Sequence, residues 1–159
     1  MPTNAGDRNN EDNYRNRMLN VITLAEDLFQ YTMTITANEK KFDSKYDRVF
    51  KNNFQDWTCA IYINLVDANE IYVGYDDLQK NIDNFNERDR LQQQARRDCK
   101  KLLHLISHSR KLYKMRGKRY SNWTKKVIIL KSAISKWNES DRARCNLIIE
   151  KKRKNKRSF

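Results

Sequence analysis

The sequence predicts an all-α protein, and three observations lead to that class. Its 159 residues include only three glycines and one proline, Pro2. Hairpins and β-sandwiches need many turn residues with unusual backbone angles, so both architectures are disfavoured. Apolar residues instead recur at steps of three and four over long stretches, the spacing of one face of an α-helix. A chain of this length can also bury a core as a single domain.

Four such stretches predict four helices, at about residues 14–37, 45–72, 87–115 and 121–137. Because the connections between them are short, we expect an antiparallel four-helix bundle of the up-down-up-down type. Each predicted helix carries one apolar stripe that should form the core. The stripes are, in chain order, Met18, Val21, Ile22, Ala25, Leu28, Phe29, Thr32 and Ile35; Tyr46, Phe50, Phe54, Trp57, Ile61 and Leu65; Leu91, Ala95, Cys99, Leu102, Ile106, Ser109 and Tyr113; and Trp123, Val127, Leu130, Ile134 and Trp137.

The segments outside these stripes divide the chain. Residues 1–13 are polar and without a period, which predicts a disordered N-terminal arm, and the bundle is expected over residues 14–142. Residues 143–159 are expected to form a basic C-terminal tail, with helical continuation over residues 138–149 as the alternative. Residues 73–86 have a weaker period and predict a connection, with or without a short helical turn. Gly117 stands where the third helix should end.

The charge is distributed unequally along the chain. Residues 1–90 hold 11 Lys and Arg against 16 Asp and Glu, a net charge of −5, whereas residues 91–159 hold 22 against 4, a net charge of +18. A solvated helical face normally mixes both signs. An excess of this size favours a polyanionic partner, most commonly a nucleic acid, with an anionic membrane surface as the lesser alternative.

The basic residues are concentrated between Arg96 and Lys126, where Asp98 is the single acidic residue. Arg97, Lys101 and Lys111 fall roughly opposite the apolar stripe of the third helix, so a packed inner face underlies a cationic outer one. Such cations can contact phosphates without reading sequence. The predicted nucleic-acid-binding residues are Arg96, Arg97, Lys100, Lys101, Arg110, Lys111, Lys114, Arg116, Lys118, Arg119, Lys125 and Lys126.

Aromatic residues interleave with this basic segment. Tyr113 and Trp123 lie on apolar stripes and are expected in the core, whereas Tyr120 is the freer candidate for stacking on an unpaired base. His104 and His108 have the spacing of two metal ligands on one helical face, but the lysines beside them would repel a cation. We therefore expect no metal, and no cofactor of any kind.

The sequence contains none of the common catalytic motifs. It has no nucleophile elbow, no phosphate-binding glycine loop and no zinc-protease motif, so we expect a protein that is not an enzyme. The three cysteines Cys59, Cys99 and Cys145 predict reduced, half-buried thiols rather than a disulfide framework. No apolar run is long enough to cross a membrane, and the expected location is the cytoplasm.

Several apolar residues fall off the core stripes and predict a second packing partner. Ile128 and Ile129 lie on the outer side of the fourth helix. A helix that is apolar on more than one side usually has more than one partner. The expected homo-oligomer interface consists of Leu19, Leu24, Ile63, Ile128 and Ile129.

The order of these features resembles a known family of small basic four-helix-bundle proteins. It includes the accessory variability determinant of diversity-generating retroelements and bundle proteins encoded in 23S rRNA intervening sequences. The resemblance covers roughly residues 14–142 and rests on spaced apolar and small residues. These are Phe42 and Phe50 at the start of the second helix, Ala68-Asn69 at its end, Arg90 and Gln94-Ala95 at the start of the third helix, and the helix from Trp123 that ends in Trp137-Asn138-Glu139-Ser140-Asp141.

The resemblance implies a non-enzymatic protein that assembles as a ring, typically a pentamer. Such a ring binds a reverse transcriptase and its structured template RNA and supports mutagenic cDNA synthesis. Its functional residues would be the basic set between Arg96 and Lys126, matched by residue type and helix position. RNA is then the expected partner, with DNA or an RNA–DNA hybrid as further candidates. The alternative is a structural or mobilisation-type scaffold that binds DNA or RNA without a polymerase.

Overall fold

The computed structural model describes residues 5–38 and 40–157, and over these ranges the chain contains helices and no β-strand. The four α-helices are α1 (Ala5–Thr36), α2 (Lys51–Glu70), α3 (Leu78–Leu112) and α4 (Gly117–Arg157). A 3₁₀ turn, Ser44–Tyr46, precedes α2. Helices α1 and α3 each pack on both α2 and α4. The predicted all-α class and the mutual packing of four helices are confirmed.

The contacts between neighbouring helices define which positions meet. Between α1 and α4, the Tyr14 hydroxyl donates to Asp141, whereas Thr32 accepts from the Trp123 indole at 3.0 Å. Later positions on α1 therefore meet earlier positions on α4.

In the α1–α2 and α3–α4 pairs too, later positions on one helix meet earlier positions on its neighbour. On α2, Tyr62 stacks on Phe29, and Gln55 donates to Thr36. Between α3 and α4, Asn138 donates to Gln92 near one end of the pair. At the other end, Arg110 lies over the ring of Tyr120.

The first and last helices extend beyond the expected bundle. Helix α1 begins at Ala5 rather than near Tyr14, so residues 5–13 are helical where a disordered arm was expected; residues 1–4 lie outside the described residues. The segment contains Gly6 but no proline, so no missing backbone N–H interrupts its helical hydrogen bonds.

Helix α4 continues through residues 143–157, where a tail was expected, and residues 158–159 lie outside the described ranges. Side chains of this extension have partners in the rest of the fold. The Arg144 guanidinium lies 4.0 Å from the centre of the Tyr14 ring, and Lys152 Nζ donates to the backbone carbonyl of Asp76.

The middle helices also differ from the expected bounds. Helix α3 begins at Leu78 because the Asp77 carboxylate caps it, accepting hydrogen bonds from the backbone N–H groups of Gln79 and Lys80. Residues 78–86 are therefore helical, and the interpretation of 73–86 as a connection was wrong for that part. Helix α2 begins at Lys51 because the chain before it forms the 3₁₀ turn.

Gly117, in the segment between α3 and α4, was expected to end the third helix but begins the fourth. Helix α3 ends at Leu112, and Gly117 is the first residue of α4 rather than the end of α3. Lys114 instead adopts the left-handed backbone conformation, with φ of 46°. Ser121, where the fourth helix was expected to begin, therefore lies inside α4.

Lys114→Gly is expected to raise the free energy of unfolding by about 0.5–1 kcal/mol, because glycine adopts the left-handed conformation without a Cβ penalty. Urea denaturation followed by circular dichroism measures the change. The matched control is Lys100→Gly, an exposed lysine inside α3, which should lower stability by about 1 kcal/mol. Equal effects of the two variants would contradict the left-handed backbone conformation of Lys114.

The predicted stripes supply most of the buried core. Trp123 and Trp137 are its largest members, and both are buried almost completely. Met18, Ile22, Tyr46 and Trp57 are half-buried and pack against the rest. The buried stripe residues are Val21, Ala25, Leu28, Thr32, Ile35, Phe50, Phe54, Ile61, Leu65, Leu91, Ala95, Cys99, Leu102, Ile106, Ser109, Tyr113, Trp123, Val127, Leu130, Ile134 and Trp137.

A buried polar cluster joins α1, α3 and α4 near the amino-terminal part of α3. We define it as Tyr14, Arg88, Gln92, Asn138 and Asp141. Arg88 Nε lies 3.0 Å from Asp141 Oδ2, and both side chains are less than 5% exposed. Gln92 donates to Asp141 at 2.8 Å and accepts from Asn138 at 2.6 Å, while the Arg88 guanidinium donates to the Tyr14 hydroxyl. Each member has a partner on another helix, so the cluster fixes how these helices align.

Candidate nucleic-acid interface

The structure places the twelve predicted basic residues in three groups. Nine of the twelve are exposed, and Arg96, Arg119 and Lys126 are half-buried. One group lies along α3, the second lies in and just after the α3–α4 turn, and the third consists of Lys125 and Lys126 on α4. Only part of the set therefore forms a single surface.

The outer face of α3, defined here as Arg97, Lys100, His104, His108 and Lys111, is the most regular of these surfaces. All five side chains are exposed, and they lie opposite the buried residues of the same helix. At 1.5 Å per residue, Arg97 and Lys111 are about 21 Å apart along the axis. Several phosphates of one strand fit along that length.

Three of the predicted contact residues donate side-chain hydrogen bonds within the protein. Lys101 Nζ donates at 2.9 Å to Asp98, whose carboxylate is buried, so this lysine neutralises an interior charge. Arg96 donates to Gln93 at 3.2 Å, and Lys126 donates to Asp27 on α1. These residues are less available to an external anion than those of the outer face of α3.

The α3–α4 turn carries the second group, Lys114, Arg116, Lys118 and Arg119. The structure also brings a residue of the α1–α2 loop to this end of the bundle. Partial desolvation, followed by repulsion from Arg119 and Arg116, lowers the pKa of Lys41. The adjacent lysines at 40 and 41 were the signal in the sequence, but their proximity to the turn depends on how the helices pack.

The aromatic residues of the basic segment have different environments. Tyr113 and Trp123 are buried, as expected from their stripes. Tyr120 is half-buried, and the Arg110 guanidinium lies 4.6 Å from its ring centre. One face of the Tyr120 ring is therefore covered, which leaves it a poorer base-stacking platform than the sequence suggested.

The described residues contain no group of three or more His, Cys, Asp and Glu side chains able to hold a metal ion. Burial, and then the neighbouring Asp98, raise the pKa of Cys99 to about 12, so its thiol stays protonated and unreactive. Cys59 and Cys145 are free and half-buried. No helix within the described ranges has the length and apolar character needed to cross a membrane.

The residues predicted for an oligomer interface fall on two separate surfaces. Leu24, Ile128 and Ile129 line a groove of about 950 Å³ between α1 and α4. Ile128 and Ile129 are each more than half exposed. Leu19 is exposed on α1, and Ile63 lies on α2, which does not line this groove. The structure therefore brings together three of the five residues.

The fold and these surfaces define a basic, all-α protein of four packed helices. Comparisons with protein-family models, with curated proteins and with solved structures found no match for the chain.

Proposed function

We propose that this protein is a non-enzymatic nucleic-acid-binding protein built on an antiparallel, up-down-up-down four-helix bundle. The topology is supported by the order of the contacts between neighbouring helices. Tyr14 and Thr32 of α1 meet Asp141 and Trp123 of α4, which is the order that antiparallel neighbours produce. Short loops between successive helices favour the same topology.

The observation that carries the nucleic-acid proposal is the outer face of α3. Arg97, Lys100 and Lys111 are exposed, and within the described ranges none of them forms an ion pair or a side-chain hydrogen bond. Elsewhere on the surface, Arg90 and Arg142 pair with Glu87 and Asp89. Unpaired cations in a row on a rigid helix suit the regularly spaced charges of a phosphate backbone.

The proposed partners follow from the family resemblance. They are a reverse transcriptase and its template RNA, and the proposed role is support of mutagenic cDNA synthesis in the cytoplasm by a diversity-generating retroelement. Several residues that carry the resemblance, including Phe50, Ala68, Ala95 and Trp137, are buried. They are core positions of the bundle, so the resemblance concerns the scaffold, and the partner has to be tested separately.

The neighbouring genes distinguish the retroelement from the polymerase-free scaffold. A reverse transcriptase gene and a pair of related repeats nearby would favour the retroelement, and co-purification of that polymerase with this protein would support it further. If the polymerase does not bind, and the protein binds duplex DNA as tightly as structured RNA, the scaffold alternative is favoured.

The proposed interface is tested by reversing charges on the outer face of α3. Arg97→Glu, Lys100→Glu and Lys111→Glu together should raise the Kd for a structured RNA by about 100-fold or more at physiological salt, since phosphate contacts are lost and repulsion is added. Fluorescence anisotropy with labelled RNA measures the Kd. Arg96 and Lys101 are left unchanged because they bond to Gln93 and Asp98 within the protein.

The matched control reverses three other exposed cations, Arg15, Arg48 and Lys80, and so changes the net charge equally. This variant should bind RNA within about fivefold of the wild type, because long-range repulsion between exposed charges is screened by salt. Circular dichroism should show unchanged helicity in both variants. Equal loss of affinity in the two variants would mean that net charge, and not the outer face of α3, determines binding.

We also propose that the protein forms a homo-oligomer, a pentamer by the family resemblance, through the groove between α1 and α4. Ile128→Lys combined with Ile129→Lys should yield a 19.2 kDa monomer, because lysines would be desolvated at the interface. Multi-angle light scattering measures the mass. The control, Val49→Lys with Leu147→Lys, alters two equally exposed apolar residues outside the groove and should leave the oligomer intact. A monomeric wild type at micromolar concentration would refute the oligomer.

A further inference from the structure

We propose that a phosphate group of a nucleic-acid strand binds at the end of the bundle, between Lys41 of the α1–α2 loop and Arg116 and Arg119 at the amino terminus of α4. We call this set, with the first turn of α4, the cationic end. The inference rests on the proposed nucleic-acid binding and adds to it a particular site with residues from two distant segments.

The first observation is the convergence of three positive charges from two separate segments of the chain. Arg116 and Arg119 lie close enough to Lys41 to lower its pKa, after the larger effect of partial desolvation. Among the described residues, none of the three side chains forms an ion pair. Like charges held together without a counter-ion repel one another, and an anion between them would remove that repulsion.

The nearest carboxylates do not supply the missing counter-ion. Asp43 and Asp47 belong to the segment that follows Lys41. Asp43 lies 3.7 Å from Lys45, and Asp47 lies 4.0 Å from Lys51. Each of these carboxylates thus has a lysine of its own.

The second observation is the amino terminus of α4, which is 41 residues long. Arg116 precedes Gly117 at the capping position and has no side-chain acceptor, so it cannot cap the free N–H groups of the first turn. The N-terminus of α3, in contrast, is capped by Asp77. A Cβ at Gly117 would meet no atom within 4 Å, so the backbone here is open to approach. Helix N-termini of this kind bind phosphate.

The third observation is a recess shared by the two segments. Lys41 and Arg119 line it together with Phe42 and Tyr113. The α1–α2 loop and the first turn of α4 therefore meet at this end of the bundle.

A nucleic acid is favoured over an acidic peptide because the cationic end adjoins the outer face of α3. Lys111 belongs to that face, and Lys114 lies between it and Arg116 in the chain. A strand lying along the outer face of α3 can therefore continue to the cationic end. The phosphate is either a terminal phosphomonoester or an internal phosphodiester of that strand.

The experiment measures binding of single-stranded RNA by fluorescence anisotropy as salt is varied. The variant Lys41→Gln, Arg116→Gln and Arg119→Gln should weaken binding of 5′-phosphorylated RNA by about 10-fold or more and lower the salt slope by about 0.7, for one lost phosphate contact. The control Arg15→Gln, Arg48→Gln and Lys80→Gln removes the same charge from exposed sites elsewhere. Binding by the first variant equal to that by the control overturns the inference.

A second variant tests the helix terminus without removing a charge. Gly117→Pro deletes one backbone N–H at the first helical position, where proline is well tolerated, so the fold should be retained. It should raise the Kd for RNA severalfold. An unchanged Kd would show that the amino terminus of α4 does not bind the phosphate.

The arms of the experiment separate the phosphate sources. If 5′-hydroxyl RNA binds the wild type as weakly as phosphorylated RNA binds the triple variant, the site takes a terminal phosphate. If the triple variant weakens both RNAs equally, it takes an internal phosphodiester. Tighter binding of polyglutamate than of RNA, lost in the triple variant, would overturn the inference in favour of an acidic peptide. A wild type that binds no RNA at all would refute the proposed function as well.

Discussion

Asp141→Ala is expected to lower the free energy of unfolding by about 3–5 kcal/mol, because it leaves the Arg88 guanidinium buried without its counter-ion. Arg88 Nε lies 3.0 Å from Asp141 Oδ2, and both side chains are excluded from solvent. The variant also removes the acceptor for Tyr14 and Gln92, which join α1 and α3 to this position on α4. One substitution therefore disturbs three helices.

Urea denaturation of Asp141→Ala, Arg88→Met and the double variant measures this effect. The double variant should be more stable than the sum of the single changes predicts, since it leaves neither charge unpaired. Arg142→Ala is the control, because Arg142 pairs with Asp89 at the surface and should contribute less than about 1 kcal/mol. If Asp141→Ala is as stable as this control, the buried pair does not hold the helices in register.

Trp123→Ala is expected to lower the free energy of unfolding by about 3–5 kcal/mol, through lost burial and the cavity left in the core. The indole is completely buried and packs edge-on against Phe54, with ring centres 4.6 Å apart. Its N–H donates to Thr32 on α1, so the side chain contacts two other helices.

Trp123→Phe separates the two contributions, because it keeps most of the apolar contact and removes the hydrogen bond to Thr32. It should lower the free energy of unfolding by less than the alanine variant does. Thermal denaturation of both variants measures the difference, with Tyr72→Ala, which changes an exposed aromatic residue, as the control. An alanine variant as stable as this control would contradict the position of Trp123 at the centre of the fold.

These two positions show which parts of the fold the sequence could predict. Trp123 stands in an apolar stripe with Val127 and Leu130, and that periodicity alone predicted its burial. Asp141 lies among polar residues, where the pattern suggested the end of the bundle. Its partners, Tyr14 and Arg88, are far away in sequence, so no local period could have placed this carboxylate in the interior.

Helix ends were less predictable than helix cores because capping depends on single residues. Asp77 begins α3, but it lies in an acidic segment where several residues could have capped. Gly117 was expected to end a helix because glycine favours the left-handed conformation. Lys114 adopts that conformation instead, and Gly117 is the first residue of α4.

The sequence predicted the positive charge of the candidate interface, but it identified only some of the residues that form it. The net charge of +18 over residues 91–159 already indicated a polyanionic partner. The sequence could not show that Lys101 neutralises Asp98 within the protein. Nor could it place Lys41 near Arg119, because that proximity arises only when the loops of two helix pairs meet at one end of the fold.

The salt dependence of RNA binding tests most directly whether the outer face of α3 contacts phosphates. For the wild-type chain, the logarithm of the association constant should fall linearly with the logarithm of salt concentration, with a slope of about −4 for five to six phosphate contacts. The variant Arg97→Glu, Lys100→Glu and Lys111→Glu should have a slope shallower by about 2. Binding that does not depend on salt, or an unchanged slope in this variant, would contradict the proposed interface.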